Sequence, residues 1–226
     1  MNTLYFEKIS QFDRHNEPVS VSIPFAMGTF SKTQHLIIQD GSTTFPVQTR
    51  PLAHWDDGSI KWLLAHFQPN LPGNKDKTLT FEVVDVPQPA NLPHQITLTE
   101  TKDGYHVDTG ILQFDVPRHG FYPVTNVVLD GEPLWNATPL HGFDLSIDGK
   151  HYTTLDRDVE LTLEDNGPLK VVILVKGRHH DGSGNTLFDL HGRITAYAGK
   201  PYIEVEHQFI HTDTQAEYDL DGLTLT

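Results

Sequence analysis

Apolar and polar residues alternate along most of this chain. Val19-Ser20-Val21-Ser22-Ile23 sets the rhythm, which puts every second side chain on one face, as in a strand half buried on a sheet. The same period predicts strands over 35–39, 47–54, 60–67, 79–84, 96–99, 111–116, 124–129, 143–147, 159–163, 169–175, 187–197 and 202–210, and the chain closes inside another at 222–226. Turn pairs punctuate them, among them Asp40-Gly41, Asp57-Gly58, Asp103-Gly104, Asp130-Gly131, Asp148-Gly149 and Asp181-Gly182. Short strands at regular spacing with Asp-Gly turns predict an all-β sandwich or barrel. No window of a dozen residues carries a helical stripe, and no repeat of fixed period is present.

One stretch breaks the rhythm. Residues 85–93 hold three prolines, which cannot donate to a central ladder and stiffen the chain. This predicts a linker over 85–93, a first module over 1–88 and a second over 94–226. In the first module, Trp55 to Trp62 reads as a hairpin with Asp57-Gly58 as its two-residue turn. That register sets Ala53, Trp55, Ile60, Trp62 and Leu64 on one face, so the indoles are expected in the module's core. The alternative is a sugar-stacking platform of Trp55 and Trp62. In the second module, pairing Tyr197 with Tyr202 sets Arg193 opposite Glu206 and places His207 on the apolar face with Ile203, Val205 and Phe209. His207 there is either a core histidine or an acid–base or ligand residue.

Charge narrows the partners. Sixteen Lys and Arg against 30 Asp and Glu leave a formal net charge of −14. A module that binds nucleic acid by neutralising phosphates needs a basic face, so that class is excluded. With no cysteine there is no disulfide framework, thiol nucleophile or cysteine metal site. The 14 histidines invite a metal reading. The densest cluster is Arg178-His179-His180-Asp181, but neighbours on a strand point to opposite faces. His179 and His180 are therefore read as part of a polar hairpin, with ligand binding as the alternative. No His-Glu-x-x-His run is present, and no metal or other cofactor is expected. Calcium would suit the acidic clusters Asp156, Asp158, Glu164, Asp165 and Asp213, Glu217, Asp219, Asp221. Neither cluster matches an EF-hand loop, and solvated turns are expected. No nucleophile elbow or phosphate loop is present. No apolar run reaches the length of a signal peptide or a membrane span, so a cytoplasmic or virion location is expected.

Further motifs carry a resemblance. Glu17-Pro18-Val19, Ile23-Pro24-Phe25, Gly28, Phe45-Pro46-Val47-Gln48-Thr49-Arg50 and Trp55-Asp56-Asp57-Gly58-Ser59-Ile60-Lys61-Trp62-Leu63-Leu64 resemble the N-terminal RIFT-type barrel of the exo-rhamnogalacturonan lyase family. Asp56 stands where that family usually has proline. Val107-Asp108-Thr109-Gly110, residues 164–169, Gly177-Arg178-His179, residues 196–202 and Glu206-His207-Gln208-Phe209 are similar to its central β-sandwich. The resemblance implies a small barrel followed by an antiparallel sandwich. It also implies a further α/α-toroid domain in the family's enzymes, at or beside which the active site is expected. Two functions follow. One is a non-catalytic structural or carbohydrate-associated module, such as a virion tail component, whose partners are other domains or chains and polysaccharide. The other is the N-terminal part of a polysaccharide lyase that cleaves rhamnogalacturonan-type glycans by β-elimination. No catalytic residue is assigned to the chain, and Trp55, Trp62, His179, His180 and His207 are the candidates for ligand binding.

Overall fold

The computed structural model describes residues 2–87, 91–134, 142–155, 157–214 and 217–225. Residues 88–90 of the proline-rich stretch, and Asp156 of the first acidic cluster, lie outside the described residues. The chain divides into two compact units, Met1–Pro93 and His94–Thr226. Strands are the regular structure of both, and no helix occurs among the described residues.

In the first unit the strands are β1 (Asn2–Phe6), β2 (Val19–Pro24), β3 (His35–Asp40), β4 (Thr43–Phe45), β5 (Gln48–His54), β6 (Ile60–Phe67) and β7 (Lys77–Val84). They form a four-stranded sheet in the order β1-β7-β3-β4 and a three-stranded sheet in the order β2-β6-β5. Both sheets turn their apolar faces onto one core of Ile23, Phe30, Leu36, Ile38, Ile60, Leu63, Ala65, Phe67 and Leu79. Edge-to-face ring contacts between Phe25 and Phe30, and between Phe6 and Phe67, fill it.

The Trp55–Trp62 hairpin departs from the expected register in two places. Its loop has three residues, Asp56-Asp57-Gly58. Trp55 N–H donates to Ser59 O and Gly58 N–H to Trp55 O, both at 2.9 Å, and Gly58 takes φ +81°. Asp57 closes the loop by accepting the backbone N–H of Ser59 at 2.9 Å and its hydroxyl at 2.5 Å. Farther along, Ala53 faces Trp62 while His54 faces Ile60, so Lys61 is an extra residue in the ladder. A bulge of one residue exchanges the faces of everything beyond it. Ile60 stays inside, but Leu63, Ala65 and Phe67 then take the core, and Trp62 turns outward, 40% exposed. The expectation that Trp62 lies in the core is corrected: simple alternation from Ile60 misses the bulge.

The second unit holds β8 (Thr97–Thr101), β9 (Gly104–Asp108), β10 (Leu112–Pro117), β11 (Thr125–Leu129), β12 (Glu132–Pro133), β13 (Phe143–Ile147), β14 (Lys150–Tyr152), β15 (Glu160–Asn166), β16 (Lys170–His180), β17 (Thr186–Tyr197), β18 (Ile203–Ile210) and β19 (Leu220–Leu225). Three antiparallel sheets result, in the orders β12-β11-β10-β9-β8, β14-β13-β19 and β15-β16-β17-β18. Val171 to Val175 of β16 are buried on both faces. Arg193 stands beside Leu174 on the outer face and is held by Glu164 at 2.6 and 2.9 Å. Glu206, the cross-strand partner expected from sequence, is indeed opposite Arg193 but lies farther away, at 3.7 Å.

Two measurements test the bulge and the loop of this hairpin. Phe67→Ala, which empties a fully buried site, costs about 3–5 kcal/mol, and Trp62→Ala costs clearly less in the same denaturant titration. The reverse order would return the indole to the core. A Cβ on Gly58 meets nothing within 4 Å, so Gly58→Val loses only the backbone preference, about 1–2 kcal/mol, read as a fall in Tm.

Candidate functional site

Of the five residues singled out from sequence, the structure joins two. His179 lies near the end of β16 and His207 on the inner face of β18 opposite Gly192. Their Nε2 atoms are 2.9 Å apart. His179 shares the inner face of β16 with Val175, which stands opposite Gly192, and the β16–β17 ladder slips beside it: Arg178 pairs with Asp189 but His179 with Leu187, so Phe188 is the extra residue. Phe188 sits at φ +48°, a conformation that disfavours side-chain-bearing residues by about 1–2 kcal/mol. Two bonds offset that strain. Phe188 N–H donates to Asp213 Oδ2 at 2.8 Å, and Phe188 O faces His179 Nδ1 at 3.2 Å.

These bonds assign the protons. A carbonyl only accepts, so His179 carries its proton on Nδ1. In the neutral ring its Nε2 is then an acceptor, and His207 must donate from Nε2. His207 Nδ1 is left as a buried lone pair with no hydrogen-bond partner among the described residues. The walls are apolar: the Phe143 ring lies 4.6 Å from His207 and packs over Gly192. Burial lowers the pKa of His179 against the opposing pull of the Phe188 carbonyl. Burial and the neighbouring His179 push His207 down to about 4. The pair is a neutral, directional hydrogen bond in the sandwich interior.

Asp213 belongs to the same cluster. It accepts from Arg178 at 2.9 Å, and Arg178 also contacts Asp189 at 3.1 Å. Burial works to raise its carboxyl, but the Phe188 N–H and Arg178 together hold it below the ordinary range. Sequence placed Asp213 among solvated turn acids; it is instead the anchor of the bulge. His180 is buried apart from the pair, its Nε2 at 2.8 Å from Leu155 O.

Comparison with known proteins now bears on the whole arrangement. The PcRGLX-like N-terminal RIFT barrel domain matches residues 7–80, and the PcRGLX-like protein central beta sandwich domain matches residues 96–226. The chain belongs to the PcRGLX-like family. Its two units are thus related to the N-terminal modules of rhamnogalacturonan lyases. The uncharacterized protein YetA of Bacillus subtilis (strain 168) is 26% identical over 212 residues, which are 88% of this chain and 24% of YetA. The chain spans about a quarter of that relative's length.

In this PcRGLX-like chain the two tryptophans sit differently. Trp55 is half-buried, its indole N–H donating to Phe25 O at 2.9 Å, with the Lys61 ammonium 4.3 Å over its ring. Trp62 stands on the outer face beside Pro24 and Ala53. Sequence reasoning missed one further constellation. His106 and Asp115 face each other across β9 and β10, with Nδ1 2.6 Å from Asp115 Oδ1, and Asn126 donates to Asp115 Oδ2 at 2.6 Å. The carboxylate orients the imidazole on an open sheet face. Continuing the alternation of residues 111–116 back across the Thr109-Gly110 turn would have found it. Among the described residues, no group of three or more His, Asp or Glu is placed to hold a metal ion.

The packing around the pair has a direct test. A Cβ on Gly192 would stand 2.8 Å from Phe143 Cε2, so Gly192→Val drives that ring toward His207. Overpacking of this kind costs about 1–3 kcal/mol, measurable as a lower denaturation midpoint, whereas an unchanged midpoint would mean that Phe143 does not rest on Gly192.

Proposed function

We infer that this chain serves as a non-catalytic β scaffold, a barrel and a sandwich that present or support other domains or chains of a carbohydrate-associated assembly. The observation that carries the reading is the state of the His179–His207 pair. His179 is fully buried and its ring nitrogens are committed to Phe188 and His207, so the chemistry that could have served a substrate serves packing. Kinship with proteins in which these modules are one part of a longer chain supports it, as does the match to a quarter of YetA. A net charge of −14 also disfavours the chain as the sole host of an acidic glycan. A scaffold of this kind fits a polysaccharide-processing protein of the cytoplasm or a virion tail.

One observation favours the second reading, in which the modules contribute directly to a lyase that works on rhamnogalacturonan-type glycans. A cleft of about 490 Å³ in the sandwich is lined by Arg157, Lys176, Arg178 and His180. β-Elimination next to a carboxylate needs that charge neutralised and a base in reach. Asp158 and Glu160 line the same cleft, however, and repel an incoming carboxylate. The test is to incubate the purified chain with rhamnogalacturonan and follow the ultraviolet absorbance of the unsaturated uronate that elimination creates. The scaffold reading expects a flat trace. A steady rise that His180→Ala removes would establish the lyase reading instead.

A further inference from the structure

The His179–His207 pair is built to exist in one protonation state only. Every nitrogen but one is committed: Nδ1 of His179 to a carbonyl, and the two Nε2 atoms to each other. A proton that enters the pair must go to one of two places. On His207 Nδ1 it finds no acceptor among the described residues and lies beside the Phe143 ring. On His179 Nε2 it meets the Nε2 proton of His207 head-on and breaks the bond between the rings. Both outcomes place an imidazolium in an apolar interior.

The groups around the pair do not rescue it. Asp144 of β13 attracts a charge on His179, but Arg178 and His180 of β16 oppose it. On β17 and β18, His191, Arg193, Glu206 and Gln208 alternate to the outer face, away from the pair. In the segment after β18, His211 and Tyr218 rest on the Phe188 ring, each at 5.1 Å, and Asp213 is taken by Phe188 N–H and Arg178.

The strand carrying His207 is also held in its sheet from one side only. β18 is the edge of its sheet, hydrogen-bonded to β17 alone, and its inward residues Ile203, Val205, His207 and Phe209 are only half-buried. Edge elements with few buried contacts open at lower free energy than central ones. We propose that the pair is an acid-operated latch: when one proton enters it, the two rings part and β18 detaches from the inner packing of the sandwich before the central strands β16 and β17 unfold.

The sign of the pH dependence follows from linkage. The folded pair stays neutral well below the pH at which free histidine titrates, about 6.5. Over that interval the unfolded or opened chain binds more protons than the closed one, so stability is full above about pH 6.5 and falls as the pH drops. Each ring kept neutral in this way lowers the closed-to-open ratio about tenfold per pH unit. His207→Phe removes one such ring while keeping the apolar face filled.

The experiment compares unfolding equilibria of the full chain and His207→Phe at several pH values between 7.5 and 4.5. The latch expects the folded-to-unfolded ratio of the natural chain to fall about tenfold per pH unit more steeply than that of the variant. Parallel slopes would overturn it. Because the variant could fail to fold, hydrogen exchange of the unaltered chain provides a second arm. β18 amide protection is expected to drop below pH 6 while β16 amides stay protected. Equal loss in both strands, or no loss, would overturn the proposal.

Discussion

The hydrogen bond from His179 to the carbonyl of Phe188 is the interaction on which the interior of the sandwich depends. It requires residue 188 to sit at φ +48°, which turns its carbonyl into the core instead of along the ladder. The same slip sets His179 opposite Leu187, and the Nε2 of that ring meets His207. The strain at Phe188 is offset at its N–H by Asp213, whose charge is in turn held by Arg178. A surface ion pair, a bulge and a buried imidazole pair therefore form one chain of contacts. The surface ion pair alone would contribute little; its consequence here is that it positions the backbone group that dictates the tautomers.

That chain of contacts bears on function through what it uses up. Histidine is the side chain suited to proton transfer near neutral pH, and in this sandwich the two most perturbed histidines are desolvated and committed to each other. Arg193 is likewise taken by Glu164 and stands beside the buried Leu174 of β16. His106 on its open sheet face is oriented by Asp115 and half-exposed, so the histidines divide into those sealed by packing and those within reach of solvent. This division is in keeping with the scaffold role proposed above.

Much of the architecture was legible because antiparallel strands report themselves by a period of two and by their turns. The β17–β18 hairpin was readable down to its register, Arg193 opposite Glu206 and His207 facing inward, since a short turn leaves little freedom in pairing. The family motifs extended this to the order of the modules. Strands β1, β4, β9, β12 and β14 escaped because they are short and carry polar or turn-like residues, and such segments become strands only when a neighbour supplies the ladder.

Local pattern and turn chemistry by themselves determined the all-β class, the hairpins and the inward face of β18, because those depend on residues close along the chain. Only the tertiary structure decided where the bulges fall, and with them which side chains meet. A one-residue slip at Lys61 turned Trp62 out of the barrel core, and another at Phe188 set a backbone carbonyl against His179 Nδ1. A slip leaves the alternation almost unaltered to the eye, yet it reverses the facing of every later side chain. Its position is set by what the opposite sheet and the surrounding loops can satisfy, as Asp213 does for Phe188, and that is a property of the folded whole.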